Sequence, residues 1–375
     1  MPLARWNHHT TNTGMTHMRS PLVHNLGIEP FELESYVKEI QFQTDKFNAE
    51  EEGELDFILP CDRPSLGLFM HHSQSIIDKI GLMSSWRQGC AKAMELTSNG
   101  YKVKTENGVQ FQTKNVVLAL GIGDQPNWPK WAKTLKRSSG FDSVHHIFDP
   151  DFHRNQVDDD DSVVIIGAGI SAVQFALTLL ETNPNRQITI VSHHNLRESD
   201  FDSDPGWLGP KYLEGFHLER DYAQRRTMIQ EARNCGSLTP EVMHSLQIAI
   251  HNQKIDWKLA KIDNAIYDSQ YQKVILNAHC NSTQNMFLTL DADAVVLATG
   301  FEHKRPGGSF IDNTIKTLDL ETAKDGFPIV DGFLRWQKGL FVMGPLAELE
   351  VGTASRNISG ARMAARRIMK SPEAQ

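Results

Sequence analysis

The segment best suited to chemistry is a short run of small residues near the middle of the chain. It reads Gly167-Ala168-Gly169-Ile170-Ser171-Ala172. A β-branched run precedes it and an apolar run follows, which predicts a strand, a tight turn and a helix. Gly167 permits the turn, Gly169 lets phosphates approach the backbone, and the small Ala172 lets the helix pack on the strand. Because a helix N-terminus offers free N–H groups and a positive dipole end, we predict that the turn binds a dinucleotide pyrophosphate.

The residues after the next predicted strand indicate which dinucleotide binds. An NAD-binding domain usually has an Asp or Glu there to hold the ribose 2′-OH. This chain has Ser192 at that place and no carboxylate until Glu198, while Arg197 can meet a 2′-phosphate. We therefore predict that Ser192 and Arg197 bind the cofactor, and that it is NADPH rather than NADH. An ordinary surface arginine at position 197 is the alternative.

Two similar stretches of sequence flank this segment. Each contains an uninterrupted apolar strand that ends in glycine, Val116–Leu120 before Gly121 and Ala294–Thr299 before Gly300. A hairpin is predicted before each strand, at 101–112 and at 273–290. Such strands are typical of parallel sheets buried on both faces. The repeat predicts two α/β units, although two unrelated core strands would give the same pattern.

The part between these stretches has its own start and its own elements. The acidic run Asp158–Asp161 predicts a solvated linker. Strand, helix and strand are predicted at Val163–Ile166, Ser171–Glu181 and Gln187–Val191. A further helix is predicted to start at Thr239-Pro240 and to bury Val242, Leu246 and Ile250. We therefore predict an α/β fold in which a Rossmann-like doubly wound NADPH domain, residues 158–300, is inserted in a second domain formed by residues 1–157 and 301–375.

Composition limits the classes of partner. The 375 residues carry a formal net charge of −8, with 40% hydrophobic and 22% charged residues. These values predict a globular protein and argue against nucleic acid or a membrane surface as partner, since both are polyanionic. We expect a small-molecule substrate and leave a homo-oligomer open. Two basic runs, Arg225-Arg226 and Arg362–Lys370, are interpreted as solvated helix faces.

Cysteine and histidine spacing argues against several kinds of site. The four cysteines have no C-x-x-C spacing and the N-terminus has no signal pattern, so we expect free thiols and a cytoplasmic protein. The rings of adjacent histidines project in different directions, so we predict no metal site at the four His-His pairs. No nucleophile elbow is present, and no catalytic residue is assigned.

Together these residues resemble the flavoproteins with two dinucleotide-binding domains, especially class B flavin monooxygenases and lysine/ornithine N-hydroxylases. The resemblance rests on Val163–Ala172, on the paired strands, and on the C-terminal stretches Gly339–Pro345 and Val351–Asn357. It implies FAD as a second cofactor, and a strand ending in Gly344 that delivers a helix N-terminus to the flavin ring. The implied cofactor-binding positions here are Gly121, Gly300, Gly344, Thr353 and Asn357, with Trp6 and Asn7 beside the flavin.

The chain departs from that group in two ways. Pro345 stands where many relatives have an acidic residue for the FAD ribityl chain, and residues 1–98 contain no G-x-G. A truncated or late-started chain would explain the missing first FAD turn, and so would a divergent protein that has lost tight FAD binding. The implied function is an FAD-dependent, NADPH-using monooxygenase of a small nucleophilic substrate. The alternatives are an NADPH reductase or oxidase without oxygenation, and a non-catalytic NADPH-binding protein.

Overall fold

The computed structural model describes residues 3–44, 57–58, 62–139, 143–280 and 287–374. Within them the α-helices are α1 (Ala4–Thr13), α2 (Glu32–Thr44), α3 (Leu66–Lys79), α4 (Leu82–Ser85), α5 (Lys130–Ser139), α6 (Ile170–Thr182), α7 (Pro210–Leu218), α8 (Tyr222–Glu231), α9 (Pro240–His251), α10 (Gly308–Leu318), α11 (Glu348–Val351) and α12 (Ile358–Met369). Short 3₁₀ helices lie at Arg154–Gln156, Pro205–Leu208, Gly344–Ala347 and Gly352–Arg356.

The strands described in the same residues are β1 (Phe57–Ile58), β2 (Arg63–Pro64), β3 (Ala91–Thr97), β4 (Gly100–Thr105), β5 (Gln110–Thr113), β6 (Val116–Leu118), β7 (Val144–His146), β8 (Val163–Ile166), β9 (Ile188–Ser192), β10 (Ile255–Asp268), β11 (Lys273–Cys280), β12 (Phe287–Ala292), β13 (Ala294–Leu297), β14 (Arg335–Gln337) and β15 (Leu340–Val342). They form a seven-stranded sheet, two three-stranded sheets and the pair β1–β2.

The seven-stranded sheet forms the larger core. Its order is β12-β11-β10-β9-β8-β13-β7, parallel from β10 to β7 and antiparallel at the β10-β11-β12 end. Every residue of β8 and β13 is buried, as strands covered on both faces require. Helices α6 and α9 contribute to the core on one face. Helix α5 contributes Ala132 and Leu135 to the core on the other.

The second unit is built from the two three-stranded sheets. Strand β15 pairs in parallel with β6 and antiparallel with β14, while β3, β4 and β5 form an antiparallel meander. Residues of β4, β6, β15, α10 and α12 share one core, with Tyr101 and Phe341 among its largest side chains. The Tyr101 hydroxyl donates to the Lys338 carbonyl at 2.6 Å, which satisfies its buried polar atom.

The chain crosses between the two units twice, after β6 and after β13, and the two crossing segments lie side by side. Pro126 and Phe301 form an isolated antiparallel bridge, and the Asn127 N–H donates to the Gly300 carbonyl at 2.8 Å. Both crossings follow strands that were predicted to end in glycine. The strands end slightly earlier than predicted, at Leu118 and Leu297, and they lie in different sheets.

Most of the predicted elements are confirmed. The hairpins are β4–β5 and β11–β12, and the predicted strand–helix–strand unit is β8, α6 and β9. The predicted face of α9 is partly wrong, because Met243 and Ala249 are buried beside Leu246, whereas Val242 and Ile250 are only half-buried. The domain division at 157/158 stays a prediction, and β7 and α5, from before that point, pack with the large sheet.

A small third core joins the two units. Trp207 and Phe216, from the segment after β9, pack with Phe327 and Leu349 from the C-terminal part of the chain. Trp207 is 6% exposed, and a Cβ added at Gly352 would lie 3.2 Å from its ring. Segment 200–235 therefore covers the C-terminal stretch that sequence reasoning connected with flavin.

Candidate cofactor site

The predicted glycine-rich turn lies between β8 and α6, where a phosphate-binding turn is required. Gly167 has a φ of +123°, and a Cβ there would lie 2.4 Å from the Ala298 carbonyl oxygen. Gly169 has a φ of −75°, and the nearest heavy atom to a Cβ there is the Gly236 Cα at 3.5 Å. Ala172 is fully buried against the sheet. The backbone at Gly169 thus stays open to a ligand, while Gly167 closes the turn.

Positive charges lie around the end of β9. Among the described residues, neither Arg197 nor Lys261 forms an ion pair with a carboxylate. Exposed Arg197 donates from Nη1 to the Cys235 carbonyl at 3.5 Å. Partial burial lowers the pKa of His193, and the positive charges of His194, Arg197 and Lys261 lower it further. Lys261 was missed by sequence reasoning because it lies on β10, beyond the register pair of Leu259 with Ser192.

Ser192 has a structural partner close by. Its hydroxyl donates to the His194 carbonyl at 2.7 Å and accepts from the His194 N–H at 3.2 Å. Ser192 is 2% exposed. It therefore shapes the turn that presents Arg197, and its predicted role as a direct ligand is not tested by these contacts.

Gly121 and Gly300 lie at the two crossings between the units. Their φ angles are +67° and +71°, and no atom lies within 4 Å of a Cβ added at either. Left-handed backbone explains why glycine stands there. Gly300 is two residues from Ala298, whose carbonyl closes the Gly167 turn, so it borders the predicted nucleotide site.

The C-terminal segment leads from β15 to a long helix through a series of short turns. Gly344, with φ +65°, opens a 3₁₀ turn rather than an α-helix, and the long helix α12 begins only at Ile358. Asn357 caps α12 by accepting the Gly360 N–H at 2.9 Å. Buried Thr353 lies 3.1 Å from the Ser203 hydroxyl, across the boundary between the units. The helix predicted after Asn357 is thus confirmed as α12, and two 3₁₀ turns with the short helix α11 connect Gly344 to it.

The other predicted contacts of the flavin fall on α1. Trp6 is half-buried with its ring centroid 6.1 Å from that of Phe69, and Asn7 is exposed. The Trp6 indole N–H is buried with no partner among the described residues. Trp336, by contrast, donates to the Glu321 carbonyl at 2.7 Å and belongs to the core.

The interpretation of the basic runs as solvated faces is wrong for Arg225-Arg226, and it holds for only part of Arg362–Lys370, where Arg366 and Lys370 are exposed. Arg225 is 8% exposed and pairs with Glu350 at 3.0 Å, and Arg226 pairs with the fully buried Glu348. Arg362 on α12 donates to the Val23 and Asn25 carbonyls. Sequence alone gave no signal for these partners because they lie more than 100 residues away.

A buried histidine marks the crossing between the units. His146, at the end of β7, is 0% exposed, and its Nδ1 accepts from the Phe148 N–H at 3.2 Å. Its Nε2 lies 3.3 Å from the Thr299 hydroxyl. Burial is the main cause that lowers the pKa of His146 to about 4, so the ring is neutral at pH 7.

Two kinds of feature are absent from the part of the chain that the structure describes. No helix there is both long enough and apolar enough to cross a bilayer. No cluster of three or more His, Cys, Asp or Glu side chains there could hold a metal ion. Cys90, Cys235 and Cys280 are free thiols, and Cys61 lies outside the described residues.

Comparison with known proteins decides the family. The sequence profile of the L-lysine 6-monooxygenase/L-ornithine 5-monooxygenase family matches residues 88–303, more than half of the chain. The chain belongs to this family. It is therefore an oxidoreductase of the monooxygenase type, as the resemblance implied. No curated protein sequence gives a match.

Solved structures of similar fold include enzymes of the same type. Ornithine hydroxylase PvdA from Pseudomonas aeruginosa, in its reduced form, is 16% identical with a TM-score of 0.75, covering 96% of this chain and 87% of that one. The cadaverine monooxygenase DfoA from Erwinia amylovora, bound to FAD, is 13% identical with a TM-score of 0.73, covering 98% and 86%. The ornithine N-hydroxylase KtzI from Kutzneria sp. 744, with reduced FAD, NADP⁺ and L-ornithine, is 13% identical with a TM-score of 0.71, covering 96% and 88%. These likenesses confirm the predicted two-unit α/β fold.

Proposed function

We propose that this monooxygenase uses NADPH and FAD to hydroxylate the terminal amine of a lysine- or ornithine-like substrate. The observation that carries the proposal is the open backbone at Gly169 between β8 and α6, in a chain of this family. One oxygen atom of O₂ forms the new N–O bond, and the other leaves as water. NADPH supplies the two electrons as a hydride, and one proton from solvent completes the water molecule, which leaves NADP⁺.

The residues present fit NADPH. Gly167 makes the turn, Gly169 admits the pyrophosphate, and the first turn of α6 faces it with its N-terminus. Arg197 and Lys261 supply positive charge at the end of β9, where a 2′-phosphate would lie. The chain's part in hydride transfer would be to hold the dinucleotide by its phosphates and so orient its nicotinamide end.

The residues present fit FAD less completely. We place the flavin ring against segment 344–357, where a Cβ at Gly344 would have no atom closer than 4.0 Å. Outside 158–300, no glycine-rich turn in the described residues leads directly from a strand into an α-helix. The described residues therefore lack a second pyrophosphate turn of this kind. When bound, FAD would supply the redox chemistry with O₂.

A spectrum of the purified chain tests the proposal first. We expect flavin absorbance after addition of FAD, bleaching on titration with NADPH, and a hydroxylamine product from L-ornithine or L-lysine. NADPH oxidation that yields only peroxide would reject the amine as substrate. A chain that binds NADPH but never binds FAD would reject the flavin-dependent function.

A further inference from the structure

An arginine-rich layer lies between α8 and the C-terminal segment. In a chain with net charge −8, this layer brings five arginines against three carboxylates. The arginines are Arg225, Arg226, Arg233, Arg356 and Arg367, and the carboxylates are Asp325, Glu348 and Glu350. Such an excess of like charge inside a folded protein is costly unless an anion compensates it.

Most of this excess surrounds Glu348, which is fully buried. Arg226 and Arg356 already contact both of its carboxylate oxygens, Arg356 at 2.9 and 3.3 Å. Arg233 Nη2 lies farther away, at 3.6 Å. Because two guanidinium groups satisfy the carboxylate without it, Arg233 is surplus to the neutralisation of Glu348.

The remaining contacts of Arg233 leave bonding capacity unused. Its Nη2 donates to the Thr353 carbonyl at 3.4 Å, while its Nε is buried without a partner in the described residues. Arg226 Nη2 is also buried without a hydrogen-bond partner in the described residues. Asp202, another carboxylate near Arg233, is already paired with Arg19 at 2.8 Å. A buried guanidinium N–H without an acceptor is costly.

The position of Arg233 relates it to the cofactor site. Gly236 follows three residues after Arg233, so their Cα atoms are at most about 11 Å apart. The Gly236 Cα lies 3.5 Å from the Cβ position of Gly169. Exposed His303, on the loop after β13, lies within electrostatic reach of Arg356 and Arg233. Arg233 thus belongs to the loop that reaches the nucleotide turn at Gly236, while Arg356 belongs to segment 344–357.

We propose that Arg233, with Arg356 beside it, forms an oxyanion-binding site for a carboxylate or phosphate group of a bound ligand. The site is specific for oxyanions because planar guanidinium groups match them in geometry and charge. Glu348 holds the guanidinium groups in place. The site does not depend on oxygenation of an amine. Its assignment to a substrate carboxylate rests on the proposed function.

The site itself is tested on the full chain with inorganic phosphate and acetate. Thermal unfolding is followed against anion concentration at constant ionic strength in the wild type, Arg233→Gln, Arg233→Lys and Arg367→Gln. We expect saturable stabilisation that Arg233→Gln weakens at least about tenfold and that Arg233→Lys largely retains. Arg367→Gln is the matched control. It removes a charge from the same layer, but all three guanidinium nitrogens of Arg367 already donate hydrogen bonds within the protein. Equal responses of wild type and Arg233→Gln would overturn the proposal.

Titrations with whole ligands identify the source of the oxyanion. If it is a substrate carboxylate, Arg233→Gln raises the Kd of L-ornithine about tenfold and leaves that of putrescine, which has no carboxylate, unchanged. If it is a cofactor phosphate, the same variant raises the Kd of NADPH or FAD instead. Unchanged affinity for all of these ligands would reject the site. A wild-type chain that binds phosphate but forms no hydroxylamine would reject the proposed function and leave the site intact.

Discussion

At the scale of single residues, Gly167 and Gly169 are two positions apart but differ in what a methyl group would meet. Gly167→Ala places Cβ against the Ala298 carbonyl in a backbone region that glycine alone adopts readily, so we expect a loss of stability of about 1–3 kcal/mol or more. Gly169→Ala meets only an ordinary contact and should leave the melting temperature nearly unchanged, yet fill the space for the pyrophosphate. We expect NADPH affinity to fall about tenfold or more, measured by fluorescence titration. Full NADPH affinity in Gly169→Ala would contradict the assignment of this turn.

The charges beyond β9 predict a change in cofactor preference. Arg197→Ala should raise the Kd of NADPH about tenfold and leave that of NADH unchanged, since only NADPH has the 2′-phosphate. Lys261→Ala should have a smaller effect in the same direction. The exposed Arg220, changed to Ala, serves as the control for loss of one surface charge. Parallel weakening of NADPH and NADH in Arg197→Ala would argue that this arginine supports the fold instead.

The buried His146 predicts how stability depends on pH. Its pKa is about 4 in the folded chain against 6.5 for the ordinary group, so between these values the unfolded chain binds a proton that the folded chain does not. Stability should therefore fall as the pH drops from 6.5 to 4, by up to about 1.4 kcal/mol per pH unit. His9, whose pKa burial also lowers to about 4, acts in the same direction. Urea denaturation at pH 7 and 5 measures the loss.

His146→Gln separates this contribution from that of other histidines. We expect a smaller difference in stability between pH 7 and pH 5 in this variant, whereas His244→Gln on the exposed side of α9 should behave like the wild type. If both variants keep the wild-type difference, His146 is not the group that titrates.

At the scale of elements, the Glu348 network holds α8 against the C-terminal segment. Glu348→Gln keeps the shape of the side chain but leaves the buried arginines without their shared anion. We expect a loss of about 3 kcal/mol in the free energy of unfolding, measured by chemical denaturation. The control Glu95→Gln breaks an exposed pair with Lys104 and should cost far less, because solvent screens such a pair. Similar small losses in both variants would show that the network contributes little to stability.

The elements were predictable from sequence where their signal is local. Apolar runs gave β8 and β13, the Asn107-Gly108 pair gave the β4–β5 hairpin, and Pro240 gave the start of α9. The arginine-rich layer was not predictable, because the carboxylate partners of Arg225 and Arg226 are distant in sequence and an isolated basic run is usually solvated. Likewise Lys261 approaches Arg197 only through the pairing of β10 with β9. Sequence therefore identified the glycine turn and Arg197, but neither Lys261 nor the arginine-rich layer.

At the scale of the whole molecule, the contacts of α5 and β7 predict where the nucleotide unit can be separated. A fragment of residues 158–300 would lack β7, which pairs with β13, and α5, which buries Ala132 and Leu135 on the sheet. We expect residues 127–302 to unfold cooperatively and bind NADPH, and residues 158–300 to be less stable and prone to aggregation. Circular dichroism during urea denaturation, with NADPH titration of each fragment, makes the comparison. Equal stability of the two fragments would support the division at 157/158 instead.

The bridge between Pro126 and Phe301 also bears on how such a chain can change over evolution. Because both crossings meet at one point, the ends of the inserted unit are neighbours, and closing the host chain around it costs little loop-closure entropy. A unit with adjacent ends can be exchanged for another of the same kind with only two junctions to repair, side by side. We therefore expect that the part of the chain between the two crossings can be exchanged by recombination, with a change of coenzyme preference and no change in the rest of the fold.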